Sequence, residues 1–315
     1  MPDDGRIGHV DDVPHQPRLV ADGPLGARVR YLTRGVLTTC GARHITVEPG
    51  TASTPVHTHA WEEEFFAVLS GSGILVTLHE GATHAYRVGP GDVILHRAGE
   101  EAHTLIAGPD ALDLLVVGES FPDGSTTLPR AGIAWFHPGW IAIGDDRHPY
   151  AIESALGLPE HGEPEEPRRH VCAIHELPTR VVDRGPIQRV ERNAGTALGA
   201  RSSGLRHVRV EPGRRSTPRH CHSIEEEFFY VLSGSGAVEL AGELSPLRPG
   251  SFVSCPVGPS STHAVTAGPD GIEYLVYGTR RPGDACFYPD SAKVSMRGLG
   301  VAFRVEPLDY WDGEE

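Results

Sequence analysis

The sequence predicts an all-β protein made of two tandem jelly-roll barrels, and three observations support this prediction. Short apolar runs alternate with polar residues and are separated by Gly, Pro and Asp, which is typical of half-buried strands joined by tight turns. Residues up to 120 contain no long stretch with helical periodicity. The same order of strands and turns then returns after residue 185, and such an internal repeat indicates two domains of one fold.

Length and composition restrict the class of protein further. A chain of 315 residues suits about two domains of ordinary size. The formal net charge of −14 argues against binding to nucleic acid, because phosphate contacts need clustered Lys and Arg. No apolar run approaches the roughly 18–20 residues of a membrane span, and the N-terminus lacks the pattern of a signal peptide. We therefore expect a cytoplasmic protein with no nucleic-acid or membrane partner.

In chain order, the sequence predicts a barrel, a linker and a second barrel. Residues 1–120 form the N-terminal barrel with an extended N-terminal arm, and the runs VRYLTRGVL, RHITVEP, EFFAVLSG, GILVTLHE, GDVILHR and LDLLVVGES predict its strands. Residues 121–174 break the repeat, carry a short helix at 150–156 and a Pro/Glu-rich stretch, and are predicted as the interdomain linker. Residues 175–315 form the C-terminal barrel with a C-terminal tail.

One stretch of the sequence occurs twice and contains most of the candidate metal-binding residues. It reads PGTASTPVHTHAWEEEFFAVLSGSG in the first half and PGRRSTPRHCHSIEEEFFYVLSGSG in the second. Side chains alternate faces along a strand, so two histidines one residue apart point the same way. If the next strand is a neighbour, its glutamate converges on them, and a later histidine in each half adds a fourth ligand. The candidates are His57, His59, Glu64 and His103 in the first half, and His220, His222, Glu227 and His263 in the second.

At these residues the chain resembles a bicupin, a two-domain member of the cupin superfamily. The first cupin motif is a glycine, HxH, a glutamate and a second glycine, and the second motif is a glycine, PxG and a histidine. Arg97 stands where the first copy would have the proline of the second motif. In YPDSAKV and DYWDGE the chain is similar to bicupins without a known substrate. The motifs are matched by Gly50, His57, His59, Glu64, Gly71, Gly91, Gly99 and His103, and again by Gly213, His220, His222, Glu227, Gly234, Gly250, Pro256, Gly258 and His263.

The resemblance implies one divalent transition metal per barrel, held by three histidines and one glutamate. This donor set suits Fe(II), which we favour, and also Mn, Ni, Cu or Zn. Four protein ligands on a six-coordinate ion leave two positions for substrate or O2. We therefore predict a dioxygenase-type oxidoreductase that acts on a small carboxylated or hydroxylated molecule. The alternatives are a metal-dependent decarboxylase or isomerase and a non-catalytic metal- or ligand-binding cupin, and a homodimer is expected from the resemblance.

Residues beside the motifs are assigned ordinary structural roles at this point. The glutamates next to the candidate ligands are predicted to be exposed charges at the start of a strand; they are Glu62, Glu63, Glu225 and Glu226. An aromatic cluster in the predicted linker is interpreted as interdomain packing rather than as a stacking platform for a ligand; it comprises Trp135, Phe136, His137 and Trp140. No catalytic or substrate-binding residue is predicted.

Overall fold

Alternating apolar residues and frequent glycine turns produce a structure made mainly of β-strands. The computed structural model describes residues 5–19, 23–33, 35–136, 139–141 and 147–314. Within them are two short α-helices, α1 (Pro149–Ser154), which overlaps the predicted helix, and α2 (Ala194–Ala197). Neither helix is long or apolar enough to cross a membrane.

In the described part of the chain, fourteen strands precede α1. They are β1 (Ile7–His9), β2 (Gln16–Leu19), β3 (Gly26–Tyr31), β4 (Cys40–Val47), β5 (Thr58–His59), β6 (Glu64–Ser70), β7 (Gly73–His79), β8 (Ala82–Val88), β9 (Asp92–His96), β10 (Ala102–Ala107), β11 (Leu112–Glu119), β12 (Ser125–Leu128), β13 (Ile133–Phe136) and β14 (Gly139–Ile141).

Twelve strands follow α1, and two of them are unusually long. They are β15 (Val171–Ala173), β16 (Thr179–Arg184), β17 (Ile187–Asn193), β18 (Ser203–Val210), β19 (Cys221–His222), β20 (Glu227–Leu240), β21 (Glu243–Leu247), β22 (Ser251–Cys255), β23 (His263–Thr279), β24 (Ala285–Tyr288), β25 (Lys293–Met296) and β26 (Val301–Arg304).

The strands form two similar antiparallel barrels. The N-terminal barrel has a seven-stranded sheet of order β15-β9-β6-β11-β4-β3-β2, a three-stranded sheet β10-β7-β8 and a four-stranded sheet β14-β13-β12-β5. In the C-terminal barrel, the sheet of order β1-β22-β20-β23-β18-β17-β16 also carries β21 on β20, and a second sheet has the order β19-β24-β25-β26. The predicted all-β fold of two tandem jelly-roll barrels is confirmed.

Each barrel receives one strand from outside its own part of the chain. Strand β1, in the N-terminal arm, pairs with β22 of the C-terminal barrel. Strand β15, in the segment predicted as a linker, pairs with β9 of the N-terminal barrel. Other residues of that segment form β12, β13 and β14, which extend from β5. The division into residues 1–120, 121–174 and 175–315 stays a prediction.

Among the described residues, the buried apolar side chains form four clusters: one inside each barrel, one between the barrels and a small one around Leu25 and Val76. On β6, Phe66 and Val68 point into the N-terminal barrel, whereas Phe65 and Ala67 point away from it. The outward residues pack against the corresponding outward residues of the C-terminal barrel, which include Phe228 of β20. Both faces of these strands are therefore buried, one inside a barrel and one between the two barrels.

A glycine closes the turn after the ligand-bearing strand in each barrel. Gly71 and Gly234 have φ angles of 76° and 75°, which favour glycine. A Cβ atom on Gly71 would overlap the carbonyl oxygen of Ala111, and a Cβ atom on Gly234 would overlap that of Gly271. The motif glycine is thus required both by its backbone conformation and by the close approach of a neighbouring chain segment.

Candidate functional site

A pair of backbone hydrogen bonds brings the first and last candidate ligands of each barrel together. The amide of His57 donates to the carbonyl of His103 at 3.2 Å, and the amide of His103 donates back at 2.8 Å. His220 and His263 form the same reciprocal pair at 3.1 and 2.8 Å. Residues that are far apart in the sequence therefore sit directly opposite each other inside the barrel.

In the N-terminal barrel the four candidate ligands converge on one point. Glu64 Oε2 lies 3.7 Å from His59 Nε2 and 3.7 Å from His103 Nε2. The rings of His57 and His103 are 4.5 Å apart. Ligand atoms of His57, Glu64 and His103 all lie within 4.8 Å of one another. Glu64 and His103 thus face the HxH pair, as the strand parity predicts.

The C-terminal barrel repeats this arrangement with similar distances. Glu227 Oε2 lies 3.8 Å from His220 Nε2, 3.6 Å from His222 Nε2 and 3.1 Å from His263 Nε2. Ligand atoms of His220, Glu227 and His263 lie within 4.8 Å of one another. All eight residues predicted as ligands are therefore brought together in two groups of four, in which only His59 and His222 are partly exposed.

Backbone carbonyl groups orient several of these imidazole rings. Nδ1 of His57 is 2.9 Å from the carbonyl oxygen of Pro55. Nδ1 of His220 is 3.0 Å from that of Pro218, and the corresponding distance from His263 to Ser261 is 2.8 Å. A carbonyl can only accept, so Nδ1 carries the proton, and in His57 and His220 Nε2 presents its lone pair to the interior. This tautomer is the one that a metal ligand needs. Nε2 of His263 lies 3.1 Å from Glu227 Oε2 and donates to it until a cation takes the place of the proton.

Carboxylates orient the second histidine of each HxH pair, but different residues supply them. Nδ1 of His59 is 3.2 Å from Glu62 Oε2 and 3.1 Å from Thr126 Oγ1. Nδ1 of His222 is instead 2.8 Å from Asp284 Oδ2. Asp284 immediately precedes β24, and Gly124 occupies the equivalent place before β12. Sequence reasoning missed Asp284, because only the pairing of β19 with β24 brings it to His222.

Protonation in the N-terminal group follows from burial and from the neighbouring charges. Burial lowers the pKa of His57 well below its usual value, and the neighbouring His103 and His59 add to this effect. Burial would raise the pKa of Glu64, but contacts with His103 and His59 lower it well below normal. Burial also opposes charge on His59, yet Glu62 and Glu64 raise its pKa to about 9. A cation bound here would therefore displace a proton from His59.

The C-terminal group has a similar balance of charges. Burial lowers the pKa of His220 to about 4, and His263 contributes to this shift. Burial opposes charge on His222, but Asp284 and Glu227 raise its pKa. Glu227 is buried, yet His222 and His263 lower its pKa far below the usual range. The N-terminal group thus pairs one ionised carboxylate with one imidazole of raised pKa, His59, whereas in the C-terminal group the pKa values of both His222 and His263 are raised.

The residues fit a divalent transition metal. In the N-terminal group the Nε2 atoms of His59 and His103 are buried and have no hydrogen-bond partner among the described residues. A buried polar atom without a partner is unusual, and here both atoms face the point where an ion would lie. Three imidazoles and one carboxylate are a donor set that suits divalent first-row metals.

Two further groups near the candidate ligands were not predicted. The ring of His96 stacks on His103, with ring centroids 3.4 Å apart and an interplanar angle of 1°. In the C-terminal barrel, the Sγ of Cys286 lies within 4.8 Å of ligand atoms of His220 and His222. Burial raises the pKa of Cys286 to about 12, so this thiol is neutral unless a cation binds it. The alternation of β9 and β24 could have indicated both residues.

Each group of ligands opens into a cavity. The N-terminal cavity has a volume of about 780 Å³, and the C-terminal cavity has a volume of about 510 Å³. Trp135 and Trp140 line the N-terminal cavity together with His57, His59 and Glu64. Their interpretation as interdomain packing was therefore wrong, because β12, β13 and β14 extend from the strand that carries His59. Phe136 is exposed, and His137 lies outside the described residues.

The prediction that the neighbouring glutamates are exposed was also wrong. Glu63 and Glu226 are only 2% and 1% exposed, Glu225 is buried, and Glu62 is partly buried. Glu63 Oε2 accepts hydrogen bonds from the amides of Ser202 and Ser203 at 3.1 Å each. These residues of the C-terminal barrel show that the carboxylate joins the two barrels.

A family model described as the cupin domain matches residues 43–118 and 206–276. Each matched region contains one complete group of four candidate ligands. No curated protein sequence matches the chain.

Solved structures with a similar fold include oxalate decarboxylases. A mutant of the Bacillus subtilis enzyme is 16% identical, with a TM-score of 0.59, and the match covers 89% of this chain and 78% of that one. A structure devoted to the Mn(II) centres of the same enzyme gives 16% identity, a TM-score of 0.57 and the same two coverages, 89% and 78%. The Lactobacillus farciminis enzyme in a formate complex is 16% identical, with a TM-score of 0.60, and the match covers 90% of this chain and 88% of that one. Identities this low establish a shared fold and nothing about the reaction.

Proposed function

Because this chain is a two-domain member of the cupin superfamily, we propose that it is a metal-dependent enzyme that decarboxylates a small carboxylate. The observation that carries the proposal is the convergence of three imidazoles and one carboxylate at a cavity that also contains Arg18 and Arg43. The solved structures that share this fold include oxalate decarboxylases, which makes decarboxylation the first reaction to test.

The candidate ligands would hold one divalent ion in each barrel. When bound, the ion supplies Lewis-acid stabilisation of negative charge on a substrate oxygen or, if it is redox-active, a position for O2. The donor set suits Fe(II) as well as Mn(II), and the Mn(II) centres named for the Bacillus subtilis enzyme make Mn(II) the first ion to test. The ligands are His57, His59, Glu64 and His103, and His220, His222, Glu227 and His263.

The chain's own residues have identifiable tasks in such a reaction. Arg43 contacts Glu64 at 3.2 Å and lines the cavity, so its guanidinium can donate to a substrate carboxylate. Phe66 and Val116 line the same cavity and limit the access of water. The bond between the carboxyl carbon and its neighbour breaks, CO2 leaves, and the carbon that keeps the electron pair takes a proton from solvent. The reaction needs no net oxidant.

A dioxygenase acting on a carboxylated or hydroxylated molecule is the second candidate. The observation in its favour is the donor set, because four protein ligands on a six-coordinate ion leave two adjacent positions for substrate and O2. The two reactions share the metal and the cavity, and they differ in whether O2 is consumed. Isomerisation at the same ion would consume no O2 and release no CO2.

Elemental analysis and a gas balance on the full chain test this proposal. We expect up to two divalent ions per chain after growth with sufficient metal, and release of CO2 without O2 uptake from a carboxylate in a panel of mono- and dicarboxylates. His57→Ala or His220→Ala should each remove one ion and show which barrel is active. His79→Ala, a change at an exposed histidine, is the matched control.

The other outcomes of this experiment have direct meanings. Stoichiometric O2 uptake in place of CO2 release would favour the dioxygenase. Occupied sites without turnover of any substrate in the panel would favour a non-catalytic binding protein. A chain that retains no ion after metal reconstitution would overturn the proposal.

A further inference from the structure

The N-terminal cavity has a wall that contains two tryptophans, whereas the described lining of the C-terminal cavity has Phe229, Tyr274 and Tyr288 but no tryptophan. Trp135 of β13 pairs with Trp140 of β14, and their rings are 5.4 Å apart. Tyr150 of α1 extends the row, with its ring 6.2 Å from that of Trp140. All three residues line the cavity and are only partly buried. The rings are inclined to one another by 63° and 69°, so a planar apolar group can stack on one of them and meet its neighbour edge-on.

The register of the strands shows that the tryptophan at this position is particular to one barrel. Trp135 is paired with Thr126, which in turn is paired with His59. In the C-terminal barrel the equivalent position is Ser295, which is paired with Cys286 next to His222. A tryptophan therefore occupies in one barrel the position that a serine occupies in the other.

The two cavities also differ in their balance of charge. Among the described lining residues, the N-terminal cavity has two arginines, Arg18 and Arg43, and one carboxylate, Glu64. The C-terminal cavity has four of each: Arg189, Arg206, Arg280 and Arg297, and Glu191, Glu225, Glu227 and Asp284. A divalent ion would make the N-terminal cavity strongly positive, and such a cavity attracts an anion.

The volume of the N-terminal cavity leaves room for a ligand larger than a two-carbon dicarboxylate. The N-terminal cavity of about 780 Å³ lies within the roughly 300–1,000 Å³ range typical of pockets for drug-sized ligands. A two-carbon dicarboxylate could be held by the cationic groups alone and would leave the aromatic wall without a contact. A ligand that uses both features needs a negative group and a flat ring.

We infer that the N-terminal cavity binds an aromatic carboxylate, with its ring against Trp135, Trp140 and Tyr150 and its carboxylate toward Arg43 and the candidate metal ligands. This inference rests on the proposed function and names its substrate class. It also assigns substrate binding to the N-terminal barrel rather than to the C-terminal barrel.

Calorimetric titration of the full chain with matched probes tests the inference, with the Mn(II)-loaded and the metal-free protein measured separately. Benzoate should bind more tightly than cyclohexanecarboxylate, which lacks the flat ring, and than benzyl alcohol, which lacks the charge. Trp140→Leu should weaken benzoate binding about three- to tenfold, whereas Trp140→Phe should retain most of it. Arg43→Gln should weaken it about tenfold or more.

Two matched variants localise the effect. Trp311→Leu changes an exposed tryptophan of the tail, and Arg206→Gln changes an arginine that lines the other cavity. Both should leave benzoate affinity unchanged. Equal affinity for benzoate and cyclohexanecarboxylate, unchanged binding by a folded Trp140→Leu protein, or a loss confined to Arg206→Gln would overturn the inference.

The design separates this inference from the proposed function. Benzoate binding that depends on Trp140, in a chain that holds no ion or releases no CO2, would support the inference and contradict the proposed function. Turnover of an aliphatic carboxylate, together with no benzoate binding, would support the proposed function and contradict the inference.

Discussion

Asp284 and Glu62 show how single residues differ between two otherwise similar sites. Each places a carboxylate against the Nδ1 atom of the second histidine in its HxH pair. Burial would raise the pKa of Asp284, but the hydrogen bond with His222 and the amides of Ile224 and Glu225 lower it to about 2. Asp284 is therefore ionised and strengthens His222 as a donor, because a carboxylate at Nδ1 raises the basicity of Nε2.

Replacing Asp284 should weaken metal binding in the C-terminal barrel alone. Asp284→Asn removes the charge while retaining the side-chain volume, and we expect the affinity for Mn(II) to fall about 10- to 100-fold. The measurement is a metal titration of the variant in a His57→Ala background, so that only metal binding by the C-terminal group is measured. Asp290→Asn, at an exposed aspartate, is the control, and a loss of similar size in that control would contradict the assigned role.

At the scale of elements, the exchange of β1 depends on a glycine. In the pairing of β1 with β22, Gly8 lies opposite Phe252. A Cβ atom on Gly8 would overlap the Phe252 ring, which covers the glycine backbone. The strand is further held by His9, whose Nε2 is 2.9 Å from the carbonyl oxygen of Pro249. The N-terminal arm thus completes the edge of the C-terminal sheet.

Gly8→Ala should release this strand from the C-terminal barrel. The added methyl group forces Phe252 or β1 to move, and we expect a loss of about 1–3 kcal/mol in the free energy of unfolding. Urea denaturation measures the loss, and limited proteolysis should cleave the arm faster than in the parent protein. Gly89→Ala is the control, since a Cβ there meets nothing within 4 Å. Equal stability of the two variants would show that the contact with Phe252 is unimportant.

At the scale of the whole molecule, two glutamates join the barrels reciprocally. Glu63 of the N-terminal barrel accepts hydrogen bonds from the amides of Arg201, Ser202 and Ser203. Glu226 of the C-terminal barrel accepts them from the amides of Thr38 and Thr39 and from both threonine hydroxyl groups, at 2.8–3.0 Å. Each glutamate immediately precedes a candidate metal ligand, Glu64 or Glu227. The interface therefore positions both groups of ligands.

Removing either carboxylate should destabilise the association of the barrels. Glu63→Ala or Glu226→Ala leaves several buried amides without an acceptor, and we expect each to cost about 2–4 kcal/mol of unfolding free energy. Scanning calorimetry of the double variant should resolve two transitions where the parent protein shows one. Glu163→Ala, at an exposed glutamate, should change neither quantity. A single unshifted transition in the double variant would contradict this role.

The fold and the eight candidate ligands follow from local pattern and repetition. The predicted alternation of side chains holds in the structure. His57 and His59 share one face, and on the next strand Glu64, Phe66 and Val68 face the barrel interior. Strands β8 and β10 were not singled out, although both belong to the N-terminal barrel. For β10 the run AHTLIA is short and follows a turn, so its period is hard to distinguish from a loop.

The sequence by itself determined the barrels, the repeat and the residues that face each barrel interior, because alternation along a strand is a local property of the chain. Only the tertiary structure decided what lies on the other side of those strands and beyond their ends. Glu63 is buried because a second barrel covers it, and Asp284 and Trp135 reach their sites through pairing with distant strands. Such contacts depend on which strands become neighbours, and the periodic pattern along one strand does not determine its neighbours.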